Sequence, residues 1–282
     1  MDKQVPQTAL GELGQGWPVL AGATLGLAIG PTALQFYTAG LFVGRYEDAF
    51  GWTRSELSLI SLFGTLGLAV FAPVAGAFMD RFGVRLAAMI GYVWLALSFW
   101  LYSRMEGSLA VYAAIQVGGV LFLAGATPIG LTRPVNAAFD KMRGLALGIA
   151  IGGIGATAFI APPLVAHLIE TVGWRVAFER LALFVFCLAP LVLLLLGVKG
   201  GGKPAQAPAK TMVRQPIPYR DPIFVRLFVC FLAVSLSVSG FVFHFVPMLT
   251  DKGVPLEQAA ATQSLLGFAV LFGRIGAGAA LD

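Results

Sequence analysis

Charged residues in this chain are gathered into short clusters, and the stretches between them are almost wholly apolar. Eight such stretches recur, roughly Trp17 to Val43, Leu57 to Met79, Leu86 to Ser103, Ser108 to Leu131, Gly144 to Ile169, Leu181 to Val198, Leu227 to Thr250 and Gln258 to Leu281. Each is near the ~20 residues that an α-helix needs to cross ~30 Å of hydrocarbon. The pattern therefore predicts an all-α membrane protein with eight spanning helices. Composition agrees: 58% hydrophobic residues, 12% charged residues and a mean hydropathy of +0.84 are more than a soluble globule could bury. The first thirteen residues carry Asp2, Lys3 and Glu12 with Pro6, too polar for a cleaved signal peptide, so the first span is expected to be retained.

The basic residues set the orientation. With a cytoplasmic N-terminus, twelve Lys and Arg fall on the inner side, from Lys3 through Arg81, Arg85, Arg133, Lys141 and Arg143 to Arg226; six, including Arg45, Arg54 and Lys252, fall outside. Positive charge accumulates on the cytoplasmic side, which favours this topology; the membrane is expected to be a cell membrane, a bacterial inner membrane. The net charge of +5 is scattered between apolar runs, which excludes a nucleic-acid partner, since that needs a basic face. Cys187 and Cys230 lie inside apolar runs and form no metal or redox pattern. His167 and His244 are isolated in apolar surroundings, and no convergent Ser/His/Asp set or carboxylate pair suggests an enzyme. No cofactor or metal is implied.

Residues 199–222 break the pattern with Gly200-Gly201-Gly202, five prolines and five basic residues. This reads as a cytoplasmic linker between a six-helix unit, 1–198, and the first two helices of a second unit, 223–282. Sliding the chain by 202 residues lays Gly51–Asp80 over Gly253–Asp282 without a gap, pairing Gly76 with Gly278 and Asp80 with Asp282. Four of the five identities fall in the last six positions. Six helices separate the copies, so both point the same way across the membrane, a parallel six-helix repeat.

The copy that is complete is Gly76-Ala77-Phe78-Met79-Asp80-Arg81-Phe82-Gly83-Val84-Arg85, a charged turn between two spans. It resembles the G-x-x-x-D-R-x-G-x-R signature between helices two and three of the major facilitator superfamily. Gly51-Trp52-Thr53-Arg54-Ser55, Phe139 to Gly148 and Gly173-Trp174-Arg175 resemble its monocarboxylate transporter and oxalate/formate antiporter branch. The resemblance implies twelve helices in two bundles, so the chain is expected to be a C-terminally truncated member with eight of them. It also implies secondary transport of small organic anions, foremost monocarboxylates, by alternating access in the lipid bilayer, with a coupling proton or counter-anion. Exchange of dicarboxylates or other solutes on the same fold, and a membrane receptor that binds solute without moving it, are the other readings.

Charge inside a span is costly and so informative. Arg274 stands eight residues before Asp282, roughly 12 Å up its helix at 1.5 Å per residue. A planar guanidinium grips a carboxylate through two parallel hydrogen bonds, and the resemblance implies a substrate role for Arg274. Softer candidates are His244, whose imidazole could relay a proton, and Tyr37, Gln35 and Thr127, which could donate hydrogen bonds from helices that line the cavity in the family. Arg133 reads as a snorkelling arginine at the end of its helix. The signature residues Gly76, Asp80, Arg81, Gly83 and Arg85, with Gly278 and Asp282 of the second copy, are the expected gate. Two departures are visible against monocarboxylate transporters: no charge stands between Leu13 and Gly44, where they carry a lysine, and Val270 occupies the place of their helix-eight aspartate. Both shift the expectation toward exchange or another coupling.

Overall fold

The computed structural model describes residues 9–197 and 221–281. Eight helices are long and apolar enough to cross a membrane: Gly11–Phe50 (α1), Arg54–Phe82 (α2), Val84–Ser103 (α3), Leu109–Ala138 (α4), Arg143–Val172 (α5), Trp174–Gly197 (α6), Pro222–Thr250 (α7) and Leu256–Ala280 (α8). Most of the linker expected at 199–222 lies outside the described residues, as does Asp282.

Several helices run past the limits that hydrophobicity suggests, because their terminal charges have partners. Helix α1 continues beyond Val43 through Arg45 and Glu47; Arg45 pairs with Glu170 of α5 at 2.6 Å and Glu47 with Arg54 of α2 at 2.8 Å. Helix α6 begins at Trp174 and takes in Arg175, which donates to the Ser103 carbonyl at 2.9 Å and lies over the Trp174 ring. Local chemistry sets the ends. Thr53 and Glu56 form a capping box that starts α2. Asp221 caps α7 by accepting from the Ile223 amide at 2.8 Å, with Pro222 in the first turn where its missing N–H costs nothing. Helix α2 stops at Gly83, whose φ of +87° disfavours any residue with a Cβ.

Two spans are broken in ways that the apolar pattern does not show. In α1, Gly30 is extended and Pro31–Gln35 winds as a π-helix; proline cannot donate its amide and forces the break. The Ala28 carbonyl beside it accepts the Thr157 hydroxyl of α5 at 2.9 Å. In α4, Ala124–Ala126 tightens to a 3-10 turn and Thr127 is extended before Pro128. Irregular backbone at membrane depth survives only where protein or a cavity satisfies it, which is what the Thr157 bond does.

Small residues recur through the core. Ala23, Ala88, Ala150, Ala158, Ala166 and Ala177 are buried, with Tyr92, Leu95 and Val185 between them. Large apolar side chains such as Val70, Leu183, Phe186 and Phe231 point outward, as expected where lipid is the solvent. At the end of the bundle where α1 finishes, Tyr46 is enclosed by Trp52, Tyr112, Trp174 and Phe178. Helix α8 lies along α5, and α7 touches α1.

Candidate functional site

Arg274 is half-buried in α8, and its Nη1 donates to the Ile151 carbonyl of α5 at 3.2 Å. A guanidinium has five N–H donors, so one carbonyl leaves most of them unused. Among the described residues, Arg274 joins no carboxylate. Tyr37, after the π-turn of α1, lies within electrostatic reach of it. Tyr37 also lines a cavity of about 630 Å³ with Ser237, Phe241 and Val242 of α7 and Leu266 and Val270 of α8. That volume falls in the range of small-molecule sites. Val270 is one helical turn before Arg274, so cavity wall and guanidinium share a face of α8.

The other sequence candidates are placed elsewhere. The Gln35 Nε2 donates to Gln116 Oε1 at 2.9 Å, and the Tyr102 hydroxyl donates to the same oxygen at 2.5 Å, a closed network between α1, α3 and α4. Thr127 is buried at the break in α4 and gives its hydroxyl to the Ala124 carbonyl at 2.7 Å. His244 sits in the last turns of α7, with Nε2 3.2 Å from the Ser58 hydroxyl of α2. Only Tyr37 of these four lines the cavity, whose wall ends at Val270, one helical turn before Arg274.

At the Gly76–Arg85 loop, Asp80 pairs with Arg133 of α4 at 2.5 Å. Arg133 therefore has a partner, and the snorkelling expectation for it is corrected. Arg85 reaches α6 and donates to the Leu193 carbonyl at 2.9 Å, while Arg81 lies over the Phe82 ring. A Cβ on Gly76 would lie 3.4 Å from Arg133 Nη2, with nothing else within 4 Å. Gly278 of the second copy packs against Gly144 and Gly148 of α5.

The family profile described as Major Facilitator Superfamily matches residues 20–282. The chain belongs to that superfamily. Relatives include human monocarboxylate transporter 11, 27% identical over 86% of this chain, and mouse monocarboxylate transporter 4, 29% identical over 94%. The transporter asaE of Aspergillus flavus is 24% identical over 86%. The chain spans about half the length of these relatives, 51%, 57% and 54% of them in that order.

This superfamily member also carries polar contacts that the linear pattern hides. At the opposite end of α2 from Asp80, Arg54 donates to Glu47 of α1 at 2.8 Å through Nε and to Asp251, just past α7, at 2.7 Å through Nη2. A second short bond joins Arg54 Nη1 to the other Asp251 oxygen. Arg54 holds the Asp251 carboxyl below the usual carboxylate range. His167 of α5 meets Glu257 of α8 at 2.9 Å. Gln263 is buried in α8 and donates to the Tyr37 carbonyl at 2.9 Å. Of these, Arg54 and His167 were visible in the sequence only as part of the Gly51–Ser55 stretch and as an isolated histidine, and Gln263 gave no signal.

Proposed function

We propose that this chain is the solute-binding part of a secondary transporter of small organic anions, monocarboxylates first among them, which works by alternating access in a cell membrane. The observation that carries the reading is Arg274, a half-buried cation without a carboxylate partner among the described residues, one helical turn from Val270 in the wall of a cavity that Tyr37 also lines. A buried charge must be paired or neutralised, and a substrate carboxylate supplies the missing partner while leaving the Ile151 carbonyl in place. The relatives named as monocarboxylate transporters support the substrate class. The N-terminus is assigned to the cytoplasm on the distribution of basic residues.

The cycle follows from the placement. A carboxylate entering the cavity binds Arg274 through charge-assisted hydrogen bonds while Tyr37 orients it. Parting of α7 and α8 from the first six helices on one side, then on the other, exposes the same site in turn. Asp80, held by Arg133, and Arg85, held by α6, shape the cytoplasmic gate. His244 is the candidate for proton transfer on the other side, while exchange against a second anion needs no titrating group. Counterflow of radiolabelled monocarboxylates through the full-length protein in liposomes tests the assignment. Arg274→Ala is expected to weaken half-saturation by roughly 10- to 100-fold, the size of a lost charge-assisted pair, and Arg274→Lys to recover part of it. Specific binding with no counterflow would instead mark a solute receptor. Unchanged affinity in Arg274→Ala would remove the arginine from the site.

A further inference from the structure

The contacts that join α7 and α8 to the first six helices are of two kinds, and they are unevenly placed. Along α5 and α8 the contact is a close seam of glycines. A Cβ on Gly155 would lie 2.5 Å from the Leu271 amide nitrogen, and one on Gly267 would lie 2.2 Å from that of Phe159. Such a seam holds two backbones together by packing, and the Arg274 bond to Ile151 is the polar contact described within it.

The other polar ties gather at one end. Arg54 opens α2, Asp251 follows the last residue of α7, and Glu47 stands in the last turn of α1. Glu257, near the start of α8, faces His167 on α5, and Gln263 follows on the inner side against the Tyr37 carbonyl. The far half of α7 is different: residues 222–238 are all exposed. Helix α7 therefore meets α1 only toward the end that carries Asp251. Asp80 stands at the other end of α2 from Arg54, so these ties lie on the opposite side from the Gly76–Arg85 loop.

We propose that Arg54, Asp251 and Glu47, backed by His167–Glu257 and by Gln263 on the Tyr37 carbonyl, form a clasp that closes the end of the cavity opposite the signature loop. The inference rests on the transport reading for its role in the cycle, since solute reaches Tyr37 and Arg274 from that side only when the clasp parts. Arg54 suits the task because its fork binds Asp251 through two nitrogens while Nε keeps Glu47. The guanidinium therefore stays with the first six helices when the Asp251 bond breaks. The innermost tie ends on Tyr37 itself, so closure of this end and the shape of the cavity wall are linked through one residue.

The test uses the full-length protein with Cys187 and Cys230 replaced by serine. Arg54→Cys with Asp251→Cys is joined by a short bifunctional methanethiosulfonate, which reductant reverses. Counterflow is expected to fall at least ten-fold when the pair is linked and to return on reduction; a linked protein that exchanges solute at the unlinked rate overturns the clasp. A second readout does not depend on flux. Ala260 is fully buried in α8 beside the clasp, and a cysteine there is labelled by a membrane-impermeant maleimide only when this end opens. Asp251→Asn is expected to raise the labelling rate of Ala260→Cys several-fold, and an unchanged rate overturns the clasp whatever the flux shows. Faster labelling in a protein that moves no solute would uphold the clasp and refute transport.

Discussion

Arg274 was legible in the sequence because a lone cation in an apolar run has few harmless explanations. Arg133 was not, because its partner Asp80 is 53 residues away and chain position alone cannot show a contact between α2 and α4. Their pair is partly exposed, with 38% and 66% of the two side chains accessible, so its contribution to stability is at most about 1 kcal/mol. Its value lies in fixing the signature loop. Asp80→Asn and Arg133→Gln are therefore expected to lower transport without shifting thermal unfolding in detergent by more than a few degrees, and the double variant to be no worse than the poorer single one. Additive losses in transport would show that the two residues act separately. Gln35 and Thr127 illustrate the reverse case: polar residues in spans that looked free to meet a solute are already satisfied, by Gln116 and by the Ala124 carbonyl.

Among the helices, the lengths of the apolar runs located every span, yet their ends and breaks came from chemistry that hydropathy does not register. A π-turn after Gly30-Pro31 places Tyr37 at the cavity, and the break at Thr127 turns that residue inward. Close contact between α5 and α8 depends on side chains that are absent. Gly155→Leu is expected to force the two helices apart, at a cost of about 1–3 kcal/mol for overpacking, and to abolish counterflow. Gly240→Ala in α7, where nothing lies within 4 Å of an added Cβ, is expected to leave unfolding and transport unchanged or to stabilise the helix slightly. Thermal unfolding of both variants in detergent, read beside counterflow, checks the contrast; equal effects at the two glycines would discount the seam.

For the whole molecule, the clasp predicts a dependence on pH through Asp251. Arg54 lowers the Asp251 carboxyl below its ordinary range. A lowered carboxyl contributes to closure above the ordinary carboxylate range and loses that contribution as pH falls through the lowered value. The Arg54–Asp251 tie is therefore expected to hold at neutral pH and to fail only in strong acid. Labelling of Ala260→Cys is thus expected to stay flat across pH 5–8, and a rate that climbs between pH 8 and pH 5 would remove Asp251 from the clasp.

Membrane class, the eight spans, the charged loop at Gly76–Arg85 and the arginine inside a span follow from amino-acid order alone, because hydrocarbon penalises every charge and every unpaired backbone group without regard to partners. Which charges face one another does not follow. Glu47, Arg54 and Asp251 read as separate loop residues until α1, α2 and α7 bring their ends together, and Gln263 is ordinary until it meets the Tyr37 carbonyl. Ion pairs and hydrogen bonds act over a few ångströms of space, whereas the sequence records only distance along the chain. Closure of the bundle supplied that second distance, and with it the clasp.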